Sequence, residues 1–472
     1  MAGTDAKGVA GRGEPAQLRA SRAIGRELWR PKPLTAAFGD KVRQPDRGPE
    51  RTAWHDHFEG RSAPAVWAPP DLPATLRTMT RPVLRTRICD LLGIEYPVLL
   101  AGMGPTIGGS NKGVAGPDLV AAVSNAGGLG VLGGTGFGPD EMEREILRIR
   151  ELTDKPFGVD ILLPVLGPSK GGSDHVPTNA ELRSMIPSAH AAEVDALRTK
   201  LGLPESPPRE RSAGSAGGQT MSSALFDPQS QIDVIVGMGV PVLATGLGDP
   251  SPFMRQLRDA GIKIVSLVGN VKGAQKVLAA GVDAVVAQGT EAGGHTGRIG
   301  TLALLPQVLD VAGDTPVIAA GGIGDGRGLA AALAMGCEGV WCGTIFIGTL
   351  EAQLDDFRKG RFVDAGDEGT KITKLYSGKT MRNITNPLID AWEESGIKAL
   401  PMGLQSMLIA PLIRGSQAAG RGENGMNAGG QIAGLIKSIR PAADVLNDMV
   451  GSAAAIISGG LAARVSAAAG TN

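Results

Sequence analysis

Pro316–Phe346 reads PVIAAGGIGDGRGLAAALAMGCEGVWCGTIF. Pro316–Ala320 (PVIAA) is a short apolar run closed by a Gly-Gly pair. Gly326–Met335 (GRGLAAALAM) has helical composition, and Gly339–Phe346 (GVWCGTIF) is strand-like again. A strand, a helix and a second strand in about 30 residues make one βαβ unit. Both strands are apolar without alternation, which is the pattern of parallel strands covered on both faces.

The same unit recurs on the N-terminal side. Tyr96–Gly102 (YPVLLAG), Leu129–Gly134 (LGVLGG) and Phe157–Pro164 (FGVDILLP) read as strands, separated by helices over Pro117–Asn125 and Pro139–Leu152. Pro139–Leu152 carries acids early and arginines late, the sense its dipole favours. After an interruption, helices over Gln231–Met238, Pro252–Ala260, Val271–Ala280 and Leu302–Val311 alternate with strands over Pro241–Leu247, Lys263–Val268 and Asp283–Ala287. Eight buried-type strands alternating with helices predict an α/β fold, a closed (β/α)8 TIM barrel over residues 87–350. An open doubly wound sheet is the alternative, because strand order is not written in the sequence.

Three segments depart from this rhythm. Residues 1–86 are rich in Arg, Pro, Ala and Gly and form an N-terminal extension. Its His55 and His57, in TAWHDHFEG, have no third ligand nearby, so no metal site is read there. The first thirty residues are Arg-rich like a transit peptide, but Glu14 and Glu27 depart from that composition. Residues 165–225 are an insert, helical over Glu181–Leu201 and loop-like over Pro204–Gln219 (PESPPRERSAGSAGGQ). The insert either caps the site or is a surface excursion. Beyond Phe346, a β-rich basic piece (ITKLYSGKTMRNITN, Ile372–Asn386) and amphipathic helices over Gly430–Val450 read as a smaller C-terminal lid subdomain, 351–472.

Bulk properties narrow the function classes. In 472 residues, Lys+Arg and Asp+Glu are both 47, so nothing marks a nucleic-acid binder. No apolar run reaches transmembrane length, and the N-terminus has no secretory h-region. Three cysteines, Cys89, Cys337 and Cys342, lack metal-type spacing and point to a reducing, cytoplasmic setting.

In a barrel of this kind the chemistry sits at the C-terminal strand ends. The first strand ends Ala101-Gly102-Met103, the third carries Asp160, and the sixth runs into Ala287–Arg298 (AQGTEAGGHTGR). Gly321-Gly322 follows the seventh strand and Cys342-Gly343-Thr344 closes the eighth. Exposed glycine N–H groups in these last two units, with a helix N-terminus at Gly326, suit a phosphate group. His295, one of five histidines, lies in the glycine loop and is the candidate general base. Gln288 could hydrogen-bond a heterocycle, and Glu291 could orient His295 or face solvent.

AQGTEAGGHTG, PVIAAGGIGDGRGLAAALAMGCEGVWCGTIF, SNAGGLGVLGG and FGVDILLP together resemble the nitronate monooxygenase family, as do YSGKTMRNITN and GGQIAGLI further on. The resemblance implies a TIM barrel with a smaller second domain, and FMN as non-covalent cofactor. It implies FMN phosphate at Gly321, Gly322, Gly343 and Thr344, and flavin contacts at Ala101, Gly102, Met103, Gln288 and Gly293, with Cys342 alongside. His295 matches the family's catalytic base. Asp160 stands where many relatives carry asparagine in an FGVN motif; an ionised acid there removes a donor and adds charge beside the flavin. The implied reaction converts a nitroalkane or nitronate with O2 to a carbonyl compound and nitrite. The implied partners are small molecules, with no nucleic acid or membrane, and a homo-oligomer is compatible with the sequence. The alternatives are a flavin-dependent enoyl thioester reductase using NAD(P)H, and a catalytically silent flavin-binding interaction protein.

Overall fold

The computed structural model describes residues 83–105, 113–163, 179–205, 228–463 and 465. The readings on His55 and His57, on most of the N-terminal extension and on most of Pro204–Gln219 lie outside these residues.

In chain order the first elements are α1 (Arg87–Leu92), β1 (Val98–Leu100), α2 (Pro117–Asn125), β2 (Gly130–Gly133), α3 (Pro139–Leu152) and β3 (Phe157–Leu162). The insert supplies α4 (Asn179–Ser184) and α5 (Ser188–Lys200), broken apart at Pro187. The rhythm resumes with α6 (Pro228–Gly237), β4 (Val242–Gly246), α7 (Met254–Asp259), β5 (Lys263–Val268), α8 (Val271–Ala280) and β6 (Ala284–Gln288). The short β7 (Gly294–His295) precedes α9 (Thr301–Ala312), β8 (Val317–Ala320), α10 (Gly326–Ala334), β9 (Gly339–Cys342) and α11 (Thr344–Ile347). The remainder is α12 (Asp356–Val363), β10 (Thr370–Thr373), β11 (Met381–Ile384), α13 (Pro387–Ser395), α14 (Leu404–Ala418) and α15 (Ala442–Ala455).

Eight parallel strands pair in the order β1-β9-β8-β6-β5-β4-β3-β2. A parallel bridge between Leu99 and Leu129 joins the two ends, with Leu100 N–H donating to Leu129 O at 2.9 Å. The predicted (β/α)8 barrel is therefore the fold, and the open sheet is excluded. Alternation along β6 shows how the barrel is filled. Ala284 and Val286 point into the inner core with Val265, Ile318 and Trp341, while Val285 and Ala287 pack outward beneath the helices. Ile88 and Leu92 of α1 join the inner core and plug its N-terminal end.

Two local expectations are corrected. GVWCGTIF is not one strand: β9 stops at Cys342, and Thr344–Ile347 turns into the helix α11. Its β-branched and aromatic residues are there because they are buried, and burial rather than backbone preference is what such residues report. The C-terminal helix predicted inside an appended lid belongs to the barrel wall. Leu446, Met449 and Val450 of α15 sit in the main core, and α15 packs on α10 and α2. The lid proper lies between β9 and α15. There β10 and β11 form a hairpin, and β11 also pairs antiparallel with β7, matching Met381 with His295 and Arg382 with Gly294. Helices α13 and α14 build a second small core that includes Val194 and Leu197 of α5, so the insert and the C-terminal segment make one cover.

Candidate active site

One cavity of about 1080 Å³ opens at the C-terminal ends of the barrel strands. It brings together Ala101, Gly102, Met103, Asp160, Gln288, Gly293, His295, Gly321, Gly322, Cys342, Gly343 and Thr344, but not Gly326. The lid closes over them with α14 and the 426–430 loop.

His295 is fixed from both its backbone and its ring. Gln288 Nε2 donates to His295 O at 2.7 Å, and β7 is held by β11. The imidazole Nε2 lies 2.8 Å from Ser377 Oγ on the turn between β10 and β11. Burial, reinforced by the positive charge of Lys379, lowers the pKa of His295 from 6.5 to about 4. The ring is thus neutral at pH 7 and carries one bare nitrogen. Tyr376 steadies the turn; its buried hydroxyl donates to Asn424 O at 2.9 Å and accepts from Asn386 Nδ2 at 2.9 Å.

Glu291 neither pairs with His295 nor simply faces water. Its carboxylate accepts from Thr301 N and from Thr301 Oγ1, each at 2.9 Å, at the start of α9. This caps a helix N-terminus, where a negative charge is favoured. The buried Arg382 holds the same loop, donating through Nε and Nη2 to Thr290 O at 3.2 and 3.1 Å. Gly293 is required by close approach: a Cβ there would stand 2.7 Å from Gly430 N.

The phosphate end departs from expectation in one respect. The N-terminus of α10 is already capped, since Asp325 Oδ1 accepts from Arg327 N at 2.9 Å and Gly328 N at 3.4 Å. Gly326 itself packs against Met449 and Ala453. An anion at that helix end would meet the Asp325 carboxylate. The helical turn that faces the cavity is α11, opened by Gly343 and Thr344. Gly321 and Gly322 both adopt left-handed backbone, with φ of +93° and +73°. Cys342 is buried and its thiol is pushed up to about 12, so it lines the cavity as an inert group.

Asp160 tests whether a heterocyclic cofactor fits. The side chain is 9% exposed, and its Oδ1 has no hydrogen-bond partner among the described residues. It fills the space that a Cβ on Gly102 would need, 2.2 Å from the Asp160 Cβ. Burial alone raises its pKa well above the ordinary carboxylate range. Burial thus disfavours the ionised form, and a protonated Asp160 would offer an O–H donor like the amide donor of asparagine. An unpartnered buried polar atom beside a glycine-lined wall fits the edge of a polar ring system.

Ser377, Lys379 and Arg382 were visible in the sequence only as part of a basic β-rich stretch. Nothing local tied them to His295; the pairing of β11 with β7 does so.

The family model for nitronate monooxygenase matches residues 85–452. A Mycobacterium tuberculosis protein described as putative monooxygenase Rv1533 is 38% identical over 378 residues, covering 78% of this chain and 96% of its own. The solved structure of nitroalkane oxidase from Streptomyces ansochromogenes is 28% identical with a TM-score of 0.62, covering 79% of this chain and 99% of that one. The structure of FabK from Thermotoga maritima is 31% identical with a TM-score of 0.60, covering 81% and 100%.

Proposed function

Given that the chain belongs to the nitronate monooxygenase family and is an oxidoreductase, we propose that it binds FMN and oxidises nitronates, and nitroalkanes less readily, with O2 to a carbonyl compound and nitrite. The observation that carries this reading is a neutral, hydrogen-bonded imidazole facing the same cavity as the glycine-lined wall. FMN supplies the electron acceptor that a carbanion-like substrate needs and that no side chain offers.

The remaining roles fall to the protein. Gly321, Gly322, Gly343 and Thr344 hold the phosphate through backbone N–H groups, and α11 directs its N-terminus there. Ala101, Gly102, Met103, Gln288, Gly293 and Cys342 wall the ring system, and Asp160 donates its O–H to it. His295 takes the proton from the substrate carbon. With the Ser377 hydroxyl turned to Lys379 O, 3.5 Å away, Nε2–H would donate to Ser377 Oγ and leave Nδ1 as the proton acceptor. Lys379 adds positive charge near His295, which favours an anionic substrate at this corner. A base with a pKa near 4 is a weak proton acceptor, so the preformed nitronate is the better substrate.

The experiment is to purify the protein with its flavin and add nitronate anaerobically. Bleaching of the flavin absorbance, followed by nitrite release on admitting air, is expected; a protein that takes up no flavin overturns the reading. The apolar lining beyond His295, with Met402, Met407 and Met426, favours one other reading, reduction of an enoyl thioester by NAD(P)H. Anaerobic NADPH separates the two, because only the reductase bleaches its flavin with it.

A further inference from the structure

The cavity does not end at His295. It continues beneath α14, whose two faces differ. Ile409, Leu412 and Ile413 are buried in the lid core, whereas Ser406, Met407, Ala410, Pro411 and Arg414 are half-covered and line the cavity, with the buried Leu408 between the two faces. Met407 lies one turn before Ala410 and Pro411, so these apolar members share one stripe of the helix, with Arg414 at its far end. Ala191, Val194 and Asp195 of α5 line the same cavity, and Met402 and Met426 add flexible thioethers. Arg183 of α4 is exposed where this chamber meets solvent.

Size and chemistry both restrict what belongs there. A single drug-sized ligand fills about 300–1,000 Å³, and this cavity holds about 1080 Å³. Cofactor and a two- or three-carbon nitronate at His295 would leave the α14 stripe facing water. Methionine-lined walls suit flexible apolar chains, since the unbranched side chain adapts to their shape. Apolar wall left against water forfeits the free energy that a covering chain would supply.

We propose that the substrate carries an extended apolar chain, which lies between α14 and α5 along Met407, Ala410 and Pro411, with its reactive carbon at His295. The proposal rests on the nitronate-oxidation reading for the identity of the reactive group, but not for the existence of the chamber.

The test uses the flavin-loaded protein and the nitronates of nitroethane, nitrohexane and nitrodecane. KM is expected to fall about two- to fourfold for each added methylene, the gain when a CH2 leaves water. Ala410→Trp, which fills the chamber, should lower the nitrodecane-to-nitroethane ratio of kcat/KM at least tenfold. KM independent of chain length, or an Ala410→Trp ratio equal to wild type, overturns the proposal. Decanoate binding, read as a change in the bound-flavin absorbance, keeps the test independent of turnover and of the variant's folding. Decanoate that binds at least tenfold tighter than acetate supports the chamber even if no nitronate is oxidised, in which case the nitronate reading alone fails. Nitroethane turnover with no decanoate binding overturns the chamber alone.

Discussion

His295 Nε2 stands 2.8 Å from Ser377 Oγ, across 82 residues of sequence. The proposed base comes from a barrel loop and its hydrogen-bond partner from the β10–β11 turn, so only tertiary packing joins them. Ser377→Ala should lower kcat/KM for a neutral nitroalkane about 10- to 100-fold, the cost of losing the group that orients an imidazole. Flavin content should stay at the wild-type level. A pH profile of the variant checks the assignment, because loss of the fixed tautomer alters the acid limb whereas a purely structural defect lowers activity uniformly.

His295→Asn should reduce turnover of neutral nitroalkane by about 10²–10⁴ and largely spare the preformed nitronate. Steady-state rates with both forms of one compound decide the matter. Equal loss on both would remove His295 from proton transfer.

The same histidine sets a pH limit on stability. The unfolded ring titrates near 6.5 and the folded ring near 4. In that window the unfolded state binds the extra proton, so stability is full above about 6.5 and is lost as pH falls toward 4. The loss is at most about 3 kcal/mol, and smaller to the extent that cavity water relieves the buried ring. Denaturant midpoints at pH 4.5 and 7.5 should differ more for wild type than for His295→Asn.

Asp160 has the opposite sign. Its folded pKa is raised, so the folded protein keeps a proton that the unfolded chain gives up as pH rises past the ordinary carboxylate value. Asp160→Asn should therefore be more stable than wild type at pH 7, with the gain vanishing near pH 4. As a neutral donor, asparagine should also leave flavin affinity and the flavin spectrum close to wild type. A large spectral change would mean that Asp160 is ionised in the loaded protein.

Glu291→Ala removes the cap of α9 and should cost about 0.5–2 kcal/mol. Thermal melts measure it. The pH profile of the variant should match wild type, since Glu291 makes its bonds to Thr301 and not to His295.

The barrel was legible because each strand is a short Val/Ile/Ala run that no solvent-exposed position interrupts; Lys263–Val268 and Val271–Ala280 match the structure residue for residue. The lid was not. Leu404–Ala418, given no element in the sequence analysis, is a continuous helix with Pro411 inside it. Asn386-Pro387 is an N-cap followed by proline at the first helical position, a signal for α13 that could have been used. The cavity walls followed from strand ends and glycine pairs. Ser377 did not, because its role depends on antiparallel pairing between two-residue and four-residue strands far apart in the chain.

The position of α15 has an evolutionary and a practical consequence. The last stave of the barrel wall is encoded downstream of the cover that shuts its mouth. Shortening the gene from its 3′ end reaches the barrel before it reaches the lid. A simplified, open-mouthed relative needs two internal excisions, one that rejoins Ile347 to Ala442 and one that removes the insert helices α4 and α5. An experimenter who wants a lidless protein faces the same rule.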